Sequence, residues 1–287
     1  MVAVLKKEMK TYFSSLTGYI FMGFFLILSG IFVTLYNLYS GSPDYNGVLS
    51  SINFIFLFLV PILTMRLMSE EQNKKTDQLL LTSPLSIWDI VLGKYFAAVG
   101  VFALTLLVTC IYPIILSFFG KLAVAEIIGG YIGFFLLGCA FISIGLFISS
   151  KTDNQVISAV ATFGVLLFIW LLDAVQQVLP TGMIYGIIFA GIIVAGITLF
   201  VYSVTKNRTV STATAVIGGV VIAIVYFIDK SVYDTFIMDF FGWFSLLKRY
   251  EGFSMGVLSI SPIVYYITFS FAFLFLTVRG IDKRRWI

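Results

Sequence analysis

Residues 127–149 read IIGGYIGFFLLGCAFISIGLFIS, and not one of them is charged. Wound as an α-helix, a run of that length rises about 35 Å, enough to cross a hydrocarbon core of about 30 Å. Seven more stretches are of similar length and predominantly apolar, at about 18–38, 51–68, 87–118, 155–178, 183–202, 212–228 and 259–278. Hydrophobic residues make up 60% of the 287 positions and charged residues 11%. A soluble domain keeps about a quarter of its residues charged so that its surface stays wet. The chain therefore reads as an all-α polytopic protein of the cell membrane. It has about eight transmembrane helices, and a single transmembrane domain covers residues 1–287. The span at 87–118 is long enough to be tilted, or to begin outside the bilayer. The hydropathy shows no two matching halves, which disfavours an internally duplicated carrier.

The composition leaves little room for chemistry. There are no histidines, the commonest general base and metal ligand. Cys110 and Cys139 sit inside apolar runs with no partner at metal spacing, and read as small buried hydrophobes. A phosphate-binding loop needs a glycine five residues before its Gly-Lys pair. Neither Gly93-Lys94 nor Gly120-Lys121 has one. No catalytic residue, metal site or cofactor site is expected in this chain, and the protein is not read as an enzyme. Its basic residues flank the apolar runs instead of forming a stripe with interleaved aromatics. They point to the lipid bilayer as a partner and away from nucleic acid. The stretch 1–10 is too polar for a signal-peptide core and is expected to stay on the chain.

Orientation follows from the short loops. With the N-terminus inside, Lys6, Lys7, Lys10, Lys74, Lys75, Lys151, Lys206, Arg208, Arg279, Lys283, Arg284 and Arg285 fall on the cytoplasmic side. Lys121, Lys230, Lys248 and Arg249 fall outside. That asymmetry satisfies the positive-inside rule, and eight crossings place both termini in the cytoplasm.

Four segments outside the apolar runs carry more specific signals. In 1–17, Leu5, Met9, Tyr12, Phe13 and Leu16 share one helical face, with Lys6, Lys7, Lys10, Thr11 and Ser14 around the rest. That pattern suits a helix lying in the interface, or a simple basic anchor for the first span. Residues 66–84 read RLMSEEQNKKTDQLLLTSP. Glu70, Glu71, Lys74, Lys75 and Asp77 give opposite charges at helical spacing, Leu79–Leu81 an apolar patch, and Pro84 a stop. A charged cytoplasmic helix over 69–83 is expected, either a transmission element toward a soluble partner or a solvated loop helix. In the span at 127–149, Gly130, Gly133, Gly138 and Gly145 allow close helix contact, within the chain or between subunits. The segment 229–257, with Phe236, Phe240, Phe241, Trp243, Phe244 and Tyr250, is too aromatic for a free aqueous loop. It is expected as an interfacial helix on the outer face, a gate or a lid. Asp173 is an acid well inside a span, either a proton-relay group or a hydrogen-bonding partner of a neighbouring helix.

These residues together resemble the ABC-2-type exporter permeases, and within them the gliding-motility (GldF-like) type. The strongest match is Arg66, Glu70, Glu71, Thr76, Leu79, Leu80, Pro84, Gly93 and Lys94. A second is Gly130–Gly133 with Gly138, Gly145, Ser149-Ser150, Thr152 and Asn154-Gln155. A third is Phe253-Ser-Met-Gly-Val257 with Tyr265-Tyr266, Leu274–Val278 and Arg284-Arg-Trp286. The N-terminal Lys6-Lys-Glu-Met-Lys10, Tyr12–Ser15 and Gly18-Tyr19 resemble that family's elbow helix. The resemblance implies that 69–83 is the coupling helix that docks into a separate cytoplasmic ABC ATPase. That subunit would bind the ATP and Mg, and a second permease, a copy or a paralogue, would complete the dimer. An auxiliary membrane-anchored gliding-type protein is a further implied partner. Outward transport is the implied activity. A force-transmitting subunit acting on a surface protein and an ion-coupled carrier using Asp173 are the rivals. The family's usual permease has six spans, so 183–202 and 212–228 are two additional ones. Spans rich in Phe and Leu favour a lipidic, amphipathic or peptide cargo.

Overall fold

A computed structural model describes residues 1–78 and 85–285, apart from the side chains of Asp173, Gln176, Gln177, Val204, Arg284 and Arg285. Among the described residues all regular structure is helical. Eight helical stretches are long and apolar enough to cross a membrane, as the hydropathy predicts. The chain divides into two compact units, Met1–Phe168 with Leu246–Ile287, and Ile169–Ser245.

The first unit begins with α1 (Val2–Ser14) and α2 (Leu16–Val33). The backbone then winds as a π-helix over Thr34–Tyr39. The second span is assembled from α3 (Asn46–Ser51), a 3-10 turn at Ile52–Ile55 and α4 (Phe56–Thr64), and is followed by the short α5 (Ser69–Asn73). The third is α6 (Ile87–Thr109), started by Ser86, whose hydroxyl accepts from the Asp89 N–H. It is not one helix to residue 118. Pro113 has no N–H to donate to the Thr109 carbonyl, and the helix breaks at Cys110 into α7 (Ile111–Leu116). The fourth is α8 (Val124–Ser149), and α9 (Gln155–Val178) starts here and runs on into the second unit.

α8 is the axis of the first unit and the most enclosed of the eight spans. Phe134 lies at its middle, with ring centroids 4.7 Å from Phe56, 6.1 Å from Phe25 and 6.2 Å from Phe102. Four helices thus share one aromatic contact. The glycines of α8 set how closely neighbours approach. A Cβ on Gly130 would collide with Asn46, on Gly133 with Phe253, on Gly138 with Phe102 and on Gly145 with Thr64. All four glycines meet side chains of this same chain.

The second unit holds α10 (Met183–Thr205), α11 (Arg208–Ile228) and α12 (Val232–Phe244). Lys206 in the left-handed region and the cap of Asn207 on the Thr209 N–H turn the chain sharply between α10 and α11. Gly218 lets α11 close on Val194 of α10. Phe189 of α10 gathers the rings of Phe236, Phe240 and Phe241 from α12, with centroids 6.2, 5.3 and 5.7 Å away. Half of the aromatic cluster expected to lie in the interface is therefore spent on helix packing.

The chain returns to the first unit with α13 (Leu246–Ser254) and ends with α14 (Ile260–Arg285). Here one face of the segment expected at the interface packs on the bundle. Leu246, Tyr250 and Phe253 are almost completely buried, and Phe253 fits the space above Gly133 of α8. Tyr266 of α14 donates to the Leu246 carbonyl at 2.6 Å. The i, i+4, i+7 stripe of large apolar groups, with Lys248, Arg249 and Glu251 between them, draws α13 into the bundle.

Gly133→Ala is expected to destabilise the protein by about 1–3 kcal/mol, because the new methyl must displace the Phe253 ring. Gly191→Ala, where nothing lies within 4 Å, is expected to be neutral or slightly stabilising. Thermal unfolding in detergent distinguishes the two, and equal effects would refute the packing assignment.

Candidate functional site

One end of the first unit collects most of the sequence signals. There the charged segment after α4 does not form the single helix expected over 69–83. α5 stops at Asn73, and Lys75 turns left-handed with φ 55°. The Thr76 N–H donates to the Glu71 carbonyl at 2.9 Å and the Lys75 N–H to the Gln72 carbonyl at 3.1 Å. This pair of bonds is a Schellman closure, which ends a helix even without glycine when the carbonyls are otherwise orphaned. Asp77 and Gln78 resume a helical turn. Leu79, Leu80 and Pro84 lie outside the described residues, as does the side chain of Asp173, whose backbone belongs to α9.

The start of α5 is capped from another span. The Ser149 hydroxyl at the end of α8 accepts from the Met68 N–H at 3.1 Å and the Ser69 N–H at 3.2 Å. It also donates to the Met65 carbonyl at 3.3 Å. Gln72 donates to the Ser150 carbonyl at 3.2 Å. Two of the matching sequence stretches, 66–84 and 130–155, therefore meet at this point.

Charge does the rest. Glu70 takes the Arg66 Nε at 2.8 Å and the Lys74 ammonium at 2.7 Å, while Arg66 Nη1 reaches the Thr17 hydroxyl at 2.6 Å. Glu71 points the other way, with Lys94 at 2.8 Å and Lys7 at 2.8 Å. Lys94, on α6, is only 1% exposed. Its three N–H groups go to Glu71, to Glu8 at 3.0 Å and to the Leu67 carbonyl at 2.5 Å. A lysine ammonium has three donors, so none is left over. For Lys7, burial pulls the pKa down, but its hydrogen bond to Glu71 and the charges of Glu71, Glu8 and Glu70 outweigh that and leave it raised. A cavity of about 20 Å³ beside the cluster, between Glu8, Tyr12, Thr17, Arg66 and Glu70, has room for about one water.

Glu8 and Lys94 both stand in stretches that resemble the family, but their pairing is not in the sequence reading. The apolar face expected for the N-terminal helix was Leu5, Met9, Tyr12, Phe13 and Leu16, yet the buried face of α1 is Val4, Glu8 and Tyr12. Leu5, Met9 and Phe13 flank it, and Leu16 is 73% exposed. Tyr12 donates to the Leu63 carbonyl at 2.7 Å, which helps turn this face inward. Glu8 and Lys94 are 86 positions apart, beyond the reach of any local pattern. The one local hint is the neighbour Gly93, where a Cβ would press against Val4 of α1. Arg66, Glu70, Glu71 and Thr76 are brought together at this end. Gly130 and Gly133 lie along α8 toward its start, where Asn46 donates to the Glu126 carbonyl and Gly256 abuts Glu126.

Eight helices long and apolar enough to cross a membrane among the described residues, with a short charged helix held at one end of the first unit, suit a membrane permease. The family model described as ABC-2 family transporter protein matches residues 33–179, just over half of the chain, and the protein belongs to that family. It is thus a multi-pass permease of the ABC transporter class in the cell membrane. The match covers 66–84 and α8 and stops just before α10, where the two additional spans begin. No curated protein matches the chain.

Removing the Lys94 charge, as in Lys94→Met, would take from Glu8 its nearest counter-charge and leave Glu71 with Lys7 alone. It is expected to cost about 3–5 kcal/mol, against about 0–1 kcal/mol for Lys74→Met at the exposed end of Glu70. Melting temperatures of the purified variants check this, and a mild Lys94→Met would contradict the burial.

Proposed function

We propose that this chain is the permease subunit of an ATP-driven exporter, and that α5 with the turn after it is the element through which a separate ATPase acts. In this reading the ATPase subunit binds ATP and Mg, and closure of two such subunits pushes on 69–78. The push passes through the ion pairs and the Ser149 cap into α2, α6 and α8, and a second permease, a copy or a paralogue, completes the path. The observation that carries the reading is the way α5 is held. Its inner side is fixed by Glu71 to α1 and α6, by the Ser69 N–H to α8 and by Glu70 to Arg66 in the turn after α4, while Asn73, Lys74, Lys75 and Thr76 stay exposed. An element that must deliver a force needs a rigid back and a free front.

The sidedness belongs to the same proposal. α1, α5, Ser149-Ser150 and the Lys151–Gly280 contact of α14 gather at one end of the first unit. That end carries Lys6, Lys7, Lys10, Lys74, Lys75 and Lys151, and the positive-inside rule makes it cytoplasmic. The gliding-type kinship rests on the sequence motifs, and with it the auxiliary anchored protein. The apolar lining of the spans favours a lipidic or amphipathic cargo.

Two measurements bear on this. A Lys75→Cys variant lacking Cys110 and Cys139 is expected to react with a membrane-impermeant maleimide only after the cell membrane is opened. Labelling of intact cells would reverse the orientation. In mild detergent the chain is expected to copurify with an ABC ATPase, and Thr76→Trp on the exposed front is expected to reduce that association about tenfold or more, as loss of a central contact does. A chain that retains no ATPase under these conditions would sink the coupling reading.

A further inference from the structure

An interfacial anchor needs only a lipid-facing side and a solvated side, but α1 has more than that. Val4 sits so close to Gly93 that a Cβ there would lie 2.9 Å from its own, and Met9 Sδ occupies the space beside Gly100 at 3.3 Å. Between these two contacts Glu8 is turned inward and gives its carboxylate to Lys94. The same ammonium holds Glu71 of α5, and Lys7 returns from α1 to that Glu71. α1 and α5, about sixty residues apart in the chain, therefore share one ammonium and one carboxylate.

We infer that Lys94 is a positioning residue that joins α1 and α5 to the start of α6 as one mechanical body, so that the N-terminal helix is an arm of the coupling device. Its functional meaning rests on the reading of α5 as the coupling element. The joining itself rests on the shared charges. Removing the charge of Glu8 leaves the buried Lys94 ammonium under-compensated and no longer fixed from the α1 side, so the post that holds Glu71 is less firmly set. Removing the charge of Glu71 takes the Lys7 and Lys94 ammoniums off α5 together and leaves the charge link of α1 to Glu8 alone. An α1 docked independently, with Lys94 serving only as a counter-charge, transmits neither effect.

The test uses the full chain in lipid nanodiscs, in a Cys110→Ser/Cys139→Ala background, with one spin label at a time. Lys10→Cys reports on the exposed side of α1 and Asn73→Cys on the end of α5. Glu8→Gln is expected to raise the mobile fraction at both labels about tenfold, the effect of losing one charge-assisted hydrogen bond. Glu71→Gln is expected to do the same from the other side. Lys6→Gln, on the exposed face, is expected to leave both labels unchanged. If Glu8→Gln loosens only the α1 label, or if Lys6→Gln moves both as much, the joint body is refuted. ATPase association, measured on the same samples, fails separately: its absence removes the coupling reading while the label result still decides whether α1 and α5 move together.

Discussion

An ammonium group that has lost its water must find three acceptors, and Lys94 finds them on three different segments. Charge buried without partners costs several kcal/mol, so the surrounding segments are constrained together, not one by one. Glu8 fixes the rotation of α1, Glu71 fixes α5, and the Leu67 carbonyl fixes the turn between the second span and α5. Gly93 then becomes intelligible, since the lysine reaches Glu8 only if α1 lies directly on α6. The Schellman turn at Lys75 and the serine cap from α8 complete the enclosure from the other two sides. What stands out from the bundle is a short exposed front on a braced back.

The spans themselves were legible because hydrocarbon imposes a single rule, that a crossing segment be apolar and long enough. Where the backbone departs from one continuous helix, part of the signal was present and part was not. Pro113 announces the break between α6 and α7, while nothing local marks the π-wound end of the first span. The stripe Leu246, Tyr250 and Phe253 was equally readable as core-facing, but the aromatic residues beside it suggested an interface. Aromatic rings suit both environments, and composition alone does not choose between them.

The site was legible only in its local half. Arg66, Glu70 and Lys74 lie at helical spacing and pair as that spacing requires. Glu8 and Ser149 join them from about 60 and 80 positions away and Lys94 from about 20 or more, and only the folded bundle brings them together. The four stretches that resemble the permease family turn out to be contact partners. Those at 6–19 and 93–94 meet at Glu8, those at 66–72 and 149–150 meet at Ser149, and those at 130–133 and 253–256 meet where Phe253 crosses Gly133. The motif spacing along the chain is thus the trace of three junctions in space.

The shortness of α5 has its own consequence. A helix of five residues has no standing by itself, since nucleation alone outweighs what its few internal bonds return. Its order is borrowed from Ser149 at one end and from Glu70 and Glu71 along its side. The segment therefore has a threshold character. While its lenders are in place it is solid enough to bear load, and when a few of them let go it melts as a unit instead of bending. Under the proposed coupling, such a joint would be stiff while those bonds stand and slack once they part, without any hinge residue set aside for the purpose.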